Sequence, residues 1–460
     1  MNGRATSAAG ALVEAELRRA ARRPALGTAP AIAPALALAL ALESAAGGGC
    51  GTPRLADTAP AVTAGAAPGS ATAAAAPARS APSGPGAALP VPPDVWASTL
   101  RANVEPSARV AAIDLDGDGV EEIALASAAG LAVLRPGAGG AEAETLWSAP
   151  PRGGANVLAA GDLDGDGRTD LAVGWGVHRD FRTAPATLVA YLSGGAAPMS
   201  LREEVVATPA TEHAQFTSAE VTRLKAGGPA GLLYAHFIGK HELRGVFAVR
   251  GAAGTWTENV LDVVRMAWLW TAAPLAAGDP APAILVGRPY GDAEKSDGDV
   301  FVWSPGGGRA PLPTRRGVRS LAVLDLGGAG GAHDVCYGDG WHWEYGTKAE
   351  GLLTCARRDA AAPGGWQATV VVDTDSYEVN TLAAADLDGD ALPELVSLGP
   401  TALRRHAPPG RAGGLAWTTR VLGPGGTHFA AFRPGAGPRA EIALVAALPA
   451  PAPGAPPAAT

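Results

Sequence analysis

Three segments of this chain share one nine-residue layout with four acids at fixed offsets. They are Asp114-Leu115-Asp116-Gly117-Asp118-Gly119-Val120-Glu121-Glu122, Asp162-Leu163-Asp164-Gly165-Asp166-Gly167-Arg168-Thr169-Asp170 and Asp386-Leu387-Asp388-Gly389-Asp390-Ala391-Leu392-Pro393-Glu394. Carboxylates at positions 1, 3, 5 and 9 can converge on one hard cation. Calcium, which takes six to eight oxygen ligands, suits them. No His or Cys joins the cluster, so a softer metal is not indicated. A short apolar run follows each loop, at residues 123–126, 171–174 and 395–398, with the character of a strand. An EF-hand would place a bidentate Glu at position 12 and a helix after it. Position 12 here is Leu125, Val173 and Ser397, so that motif is excluded.

The loop marks a repeat that continues where the acids have decayed. An apolar strand precedes each loop: residues 110–113, 157–160 and 382–385. The same unit recurs around Asp325–Asp334 with its middle acids lost, and around residues 223–231 with every ligand lost. Two further degenerate copies lie at 275–286 and 429–445. The loops begin near residues 114, 162, 223, 275, 325, 386 and 433, 47 to 61 residues apart. Seven units of this length, each with room for four short strands, describe an all-β, seven-bladed β-propeller. An outer strand recurs at 144–147, 203–206, 366–372 and 417–422. Residues 94–100 have the same look but stand before the first unit, and the last unit lacks outer strands. Residues 95–100 are therefore expected to complete the seventh blade and hide both sheet edges.

These loops and this repeat length resemble the FG-GAP/VCBS-type repeats of bacterial secreted propellers and the calcium-binding blades of integrin alpha-chain heads. The resemblance covers roughly residues 94–447. It implies calcium held between the first and second strands of a blade. The metal ligands would be Asp114, Asp116, Asp118 and Glu122, then Asp162, Asp164, Asp166 and Asp170, then Asp386, Asp388, Asp390 and Glu394. The Phe-Gly and Gly-Ala-Pro signatures of the integrin repeats are not evident, so integrin-like ligand binding is not carried over.

The 460 residues hold one large domain plus tails, and a net charge of −8 argues against nonspecific nucleic-acid binding. Arg18, Arg19, Arg22 and Arg23 precede an apolar stretch at 31–42 that is too short to span a membrane, and small residues then lead to Cys50. Residues 1–49 read as a leader. The segment resembles a bacterial lipoprotein signal with Cys50 as the lipidated residue, and plain secretion is the alternative. Both readings place the chain outside the cytoplasm, in the cell envelope or secreted; no export is the third reading. Residues 50–93, rich in Ala, Pro, Gly, Ser and Thr, read as a flexible tether, 94–448 as the propeller and 449–460 as a disordered tail. Cys336 and Cys355 fall on the second and third strands of unit five, where neighbouring strands can bring two Cys within bridging distance. A disulfide is expected, with two buried thiols as the alternative.

The metal loops occupy one face of such a ring. The opposite face, around the central channel, is the expected ligand face. Six residues before each loop start lie Asn156, Thr217, Arg319 and Asn380, with His428 within one residue of that position. Trp341, His342, Trp343 and Tyr345 lie in a loop on the same face. Aromatics and amides facing a hollow suit a glycan or a peptide. His236 and His241 lack a third ligand for zinc. No nucleophile elbow or phosphate loop appears. The first expectation is a calcium-stabilised binding or adhesion-type module for an extracellular ligand. A polysaccharide-active lyase or hydrolase and a purely structural envelope module are the alternatives.

Overall fold

The computed structural model describes residues 108–445 with interruptions, the longest at 177–185, 342–350 and 409–416. The leader, the tether, Cys50, residues 94–100 and the C-terminal tail lie outside the described residues.

Every regular element of substance is a strand. The first blade is β1 (Arg109–Ile113), β2 (Glu122–Ser127), β3 (Gly130–Arg135) and β4 (Glu144–Ala149). The second is β5 (Ala155–Gly161), β6 (Asp170–Trp175), β7 (Thr187–Ser193) and β8 (Leu201–Ala207). The third is β9 (Phe216–Thr222), β10 (Gly231–Phe237), β11 (Glu242–Arg250) and β12 (Trp256–Arg265). The fourth is β13 (Leu269–Ala273), β14 (Ala283–Tyr290), β15 (Asp297–Ser304) and β16 (Gly308–Pro311). The fifth is β17 (Gly317–Leu324), β18 (Asp334–Trp341), β19 (Gly351–Arg358) and β20 (Trp366–Thr374). The sixth is β21 (Thr381–Ala385), β22 (Glu394–Leu398), β23 (Ala402–Ala407) and β24 (Thr418–Pro424). Each is an antiparallel sheet in chain order, first strand innermost. β25 (His428–Phe432) and β26 (Glu441–Val445) form a two-stranded sheet.

The ring is built from the inside outward. β1 packs on β5, β5 on β9, β9 on β13, β13 on β17, β17 on β21, β21 on β25 and β25 back on β1. A second strand lies between neighbouring blades and so buries both faces. That is why β6, β10 and β22 are continuous buried runs rather than alternating ones. Outer strands meet solvent on one side, and β8 and β12 are largely exposed. The core is a set of inter-blade clusters. One joins Ile113, Leu131 and Val133 of the first blade to Leu171, Trp175 and Tyr191 of the second.

One expectation is corrected in part. Seven four-stranded blades were expected, and six are present among the described residues, with β25–β26 as a two-stranded seventh sheet. Residues 95–100, expected to complete that blade, lie outside the described residues. The seventh sheet is nonetheless tied into the ring. Glu121 N donates to Arg433 O (2.8 Å), and Ala440 N donates to Asp386 O (2.8 Å). Cys336 and Cys355 stand directly opposite each other on β18 and β19 and are joined by a disulfide.

Candidate metal loops and the opposite face

Each acidic loop joins a first strand to a second, and the same hydrogen bonds shape all three. In the first, Asp114 Oδ1 accepts from Gly117 N (2.8 Å) and Oδ2 from Gly119 N (3.0 Å). Asp116 and Asp118 each accept from the backbone two residues on, Asp118 N (3.2 Å) and Val120 N (2.8 Å). The second loop repeats this with Asp162, Asp164 and Asp166, and the third with Asp386, Asp388 and Asp390. The Leu at position 2 turns the other way: Leu115 and Leu163 are buried between blades. Burying a leucine stabilises by roughly 2 kcal/mol, enough to pin a loop that is otherwise solvent-facing. Position 6 needs a left-handed backbone, with φ of 81° at Gly119 and 86° at Gly167.

Within each loop, acids 1, 3 and 9 come together. Asp114, Asp116 and Glu122 offer oxygens within 4.8 Å of one another, as do Asp162, Asp164 and Asp170, and Asp386, Asp388 and Glu394. The fifth-position acids Asp118, Asp166 and Asp390 are not in these groups. An all-oxygen donor set of this size fits a hard divalent cation. The ninth acid starts the second strand and is sealed in: Glu122 and Asp170 are 0% exposed and Glu394 2%. Its carboxylate accepts from the buried Leu nitrogen: Leu115 N to Glu122 (3.1 Å), Leu163 N to Asp170 (2.8 Å) and Leu387 N to Glu394 (2.7 Å). Burial pushes all three carboxylates up, Asp170 to about 6.

The loops differ in a partner that sequence reasoning missed. Arg135 Nη2, at the end of β3, donates to both Asp116 and Glu122 (2.7 Å each). Arg405 on β23 does the same to Asp388 and Glu394. In the second loop no guanidinium hydrogen-bonds these acids among the described residues. Asp170 Oδ1 instead accepts from Ser193 N (2.7 Å), and Arg223 reaches Asp162 only at 4.0 Å. In the fifth blade, where the loop acids have decayed, Arg357 on β19 grips Asp334, the surviving terminal acid. A third-strand arginine thus pairs with the buried acid in three blades, whereas in the second blade Asp170 is held by backbone donors, with Arg250 acting on it only through its charge.

Residues 114–173, which contain the first two loops, match the family model of the FG-GAP-like repeat. The match spans the first two loops of a chain whose described sheets form a β-propeller. No curated protein matches it significantly. Two similar solved structures are fungal. One is an Agrocybe aegerita lectin described for specific recognition of non-reducing terminal N-acetylglucosamine, at 13% identity, covering 69% of this chain and 80% of that one, with a TM-score of 0.42. The other is AofleA from Arthrobotrys oligospora, at 11% identity, covering 69% and 87%, with a TM-score of 0.40. Similarity this low does not say what this propeller binds.

On the opposite face, Asn156, Thr217, Arg319 and His428 lie at the starts of the inner strands β5, β9, β17 and β25. Asn380, His342, Trp343 and Tyr345 lie outside the described residues, and of Trp341 only the backbone is described. Arg109, at the start of β1, joins the group: its Nε donates to Asn156 O (2.7 Å). Burial, and then Arg319, lower Arg109 to about 10. Burial, with Arg109 and Arg319 behind it, lowers His428 to about 3. Arg319 also stacks over Trp268, 5.2 Å from the ring centroid. His236 is buried in β10, its Nδ1 against Phe237 O (3.1 Å).

Proposed function

We propose that the chain is an exported, calcium-stabilised binding module whose ligand face lies opposite its metal loops. The observation that carries the calcium half is the repeated loop: one hydrogen-bond scheme, three times, each time gathering three carboxylates within 4.8 Å. A cation there would be held by Asp114, Asp116 and Glu122 and their counterparts, with the fifth-position acids in reach of loop rearrangement. Calcium would supply charge compensation for a buried carboxylate, which in the second loop no hydrogen-bonded arginine provides among the described residues. The binding half is supported by the polar inner-strand starts around the channel. The ring is completed as a seventh blade by residues 95–100, and the leader delivers the chain to the envelope, anchored through lipid at Cys50 or released. The ligand is an extracellular glycan or protein.

Calorimetric titration of the purified mature chain with calcium tests the first half. Saturable binding that loses one site in Asp162→Asn supports it, and no heat at millimolar calcium refutes it. Glycan-array screening with and without calcium tests the second.

A further inference from the structure

We propose that the channel mouth opposite the metal loops binds an oxyanion group, a carboxylate or a phosphate, on a small polar ligand, with Asn156, Thr217 and Arg319 as direct donors. This rests on the binding-module reading and names its ligand chemistry.

Three inner strands carry a β-bulge at the same repeat position. On β5 the register skips between Ala155 and Val157, leaving Asn156 extra. On β9 it passes from Ser218 to Phe216, leaving Thr217 extra. On β17 it jumps from Val318 to Leu321, so Arg319 and Ser320 face a single residue, Gly338. Asn156, Thr217 and Arg319 each stand six residues before a loop start, so the ring sets them at one level. A bulge breaks the two-residue alternation and re-aims a side chain. Three at one level turn three polar side chains out of the inter-blade packing.

Two of those side chains are also unfinished. Asn156 is 5% exposed, yet its Nδ2 makes no hydrogen bond among the described residues, and neither does the buried Thr217 Oγ1. Buried polar groups normally find partners, so two unpaired at one level mark a place where a partner arrives. Thr381 Oγ1, at the start of β21, is a third such atom. The charge around them sets the sign of that partner. Arg109 and Arg319 belong to the first and fifth blades, which are not neighbours, and both act on His428 of the seventh sheet. Both guanidinium charges reach His428, so cationic side chains gather at these inner-strand starts. Amide N–H, hydroxyl and guanidinium donors together fit an oxyanion.

The test titrates the full mature chain with sodium glucuronate, inorganic phosphate and glucose. Saturable binding of glucuronate identifies a carboxylate, and of phosphate a phosphoryl group. Thr217→Val and Arg319→Gln should each weaken it by about tenfold or more. Thr217→Ser should keep it, and Arg309→Gln on exposed β16 should leave it unchanged. Melting curves of the variants establish that they fold. If a variant does not fold, the rise in wild-type melting temperature on adding the anion stands in its place. Binding of glucose with neither anion overturns the oxyanion proposal and leaves the binding module standing. No binding here, together with an empty glycan array, overturns both. Anion binding unaffected by Thr217→Val and Arg319→Gln also overturns the proposal.

Discussion

Ala391 is the one non-glycine residue among the three loops that stands in the left-handed region, at φ 67°. Its counterparts Gly119 and Gly167 hold φ 81° and 86°. All three nitrogens donate to the first Asp of their loop, at 3.0 Å, 3.0 Å and 3.2 Å. The loop therefore imposes the left-handed backbone whatever residue is present. A Cβ at Gly119 or Gly167 would meet nothing within 4 Å, so exchange between Ala and Gly changes backbone energetics and touches no contact. An L-residue held left-handed costs about 1–2 kcal/mol. Gly returns part of that, about 0.4–1 kcal/mol, through its looser unfolded chain. Ala391→Gly should then stabilise by about 0.5–1 kcal/mol, and Gly119→Ala or Gly167→Ala should destabilise by as much. With a urea slope of about 3 kcal/mol/M, that is a midpoint shift of about 0.2–0.3 M. If Ala391→Gly leaves the midpoint unchanged or lowers it while Gly119→Ala is neutral, the backbone is not imposed by the loop and the reasoning fails.

Calcium should bind most tightly at the second loop, where among the described residues no arginine hydrogen-bonds the acids and Arg223 reaches Asp162 only at 4.0 Å. Arg135→Gln should strengthen binding at the first, and calorimetry showing it weakened would oppose this. Glu220 on β9 accepts from Thr271 Oγ1 and Ala272 N (3.1 Å) on β13, and burial raises it to about 7. The folded chain thus holds that proton longer than the unfolded one. Stability tied to it is full below about pH 4.5 and is lost as pH rises towards 7, on the order of 3 kcal/mol in all, and Glu220→Gln should flatten that slope in urea titrations at fixed pH. Replacing Cys336 and Cys355 together by Ser should lower stability by about 3 kcal/mol in denaturant unfolding. Deleting residues 94–101 should lower the melting temperature, whereas deleting 51–88 should not. Equal melting of both and the full mature chain would refute closure by residues 95–100.

The loops were legible because they are local. Nine consecutive residues contain the acids, the glycines that admit a left-handed turn and the leucine that pins the loop, so spacing alone identifies them. The repeat was legible because the apolar runs on either side survive where the acids do not, as at 321–324 and 335–337. The arginines were not legible. Arg135, Arg405 and Arg357 follow their acids by 13, 11 and 23 residues. The intervening hairpins differ in length, so one cross-strand position has no fixed sequence offset. Neither were the bulges at Asn156, Thr217 and Arg319, which leave no mark in composition. Counting six residues back from each loop found the positions without revealing why their side chains turn.

The two faces of the ring are built on opposite terms. On the metal face, neighbouring loops are stitched by backbone: Ala226 N to Pro280 O (3.1 Å), Ala277 N to Gly331 O (2.6 Å) and His333 N to Leu275 O (2.9 Å). Such bonds hold whatever the side chains are, so blades that have lost most of their loop acids are still held in place. On the other face the inner strands spend an extra residue in three blades and leave polar atoms unpaired. A scaffold fixed by backbone at one end can carry that unpaired polarity at the other, since the ring does not depend on it. On the proposed reading, with a cation in the loops and a ligand at the bulges, loss of the cation should loosen the ring before it alters the shape of the channel mouth.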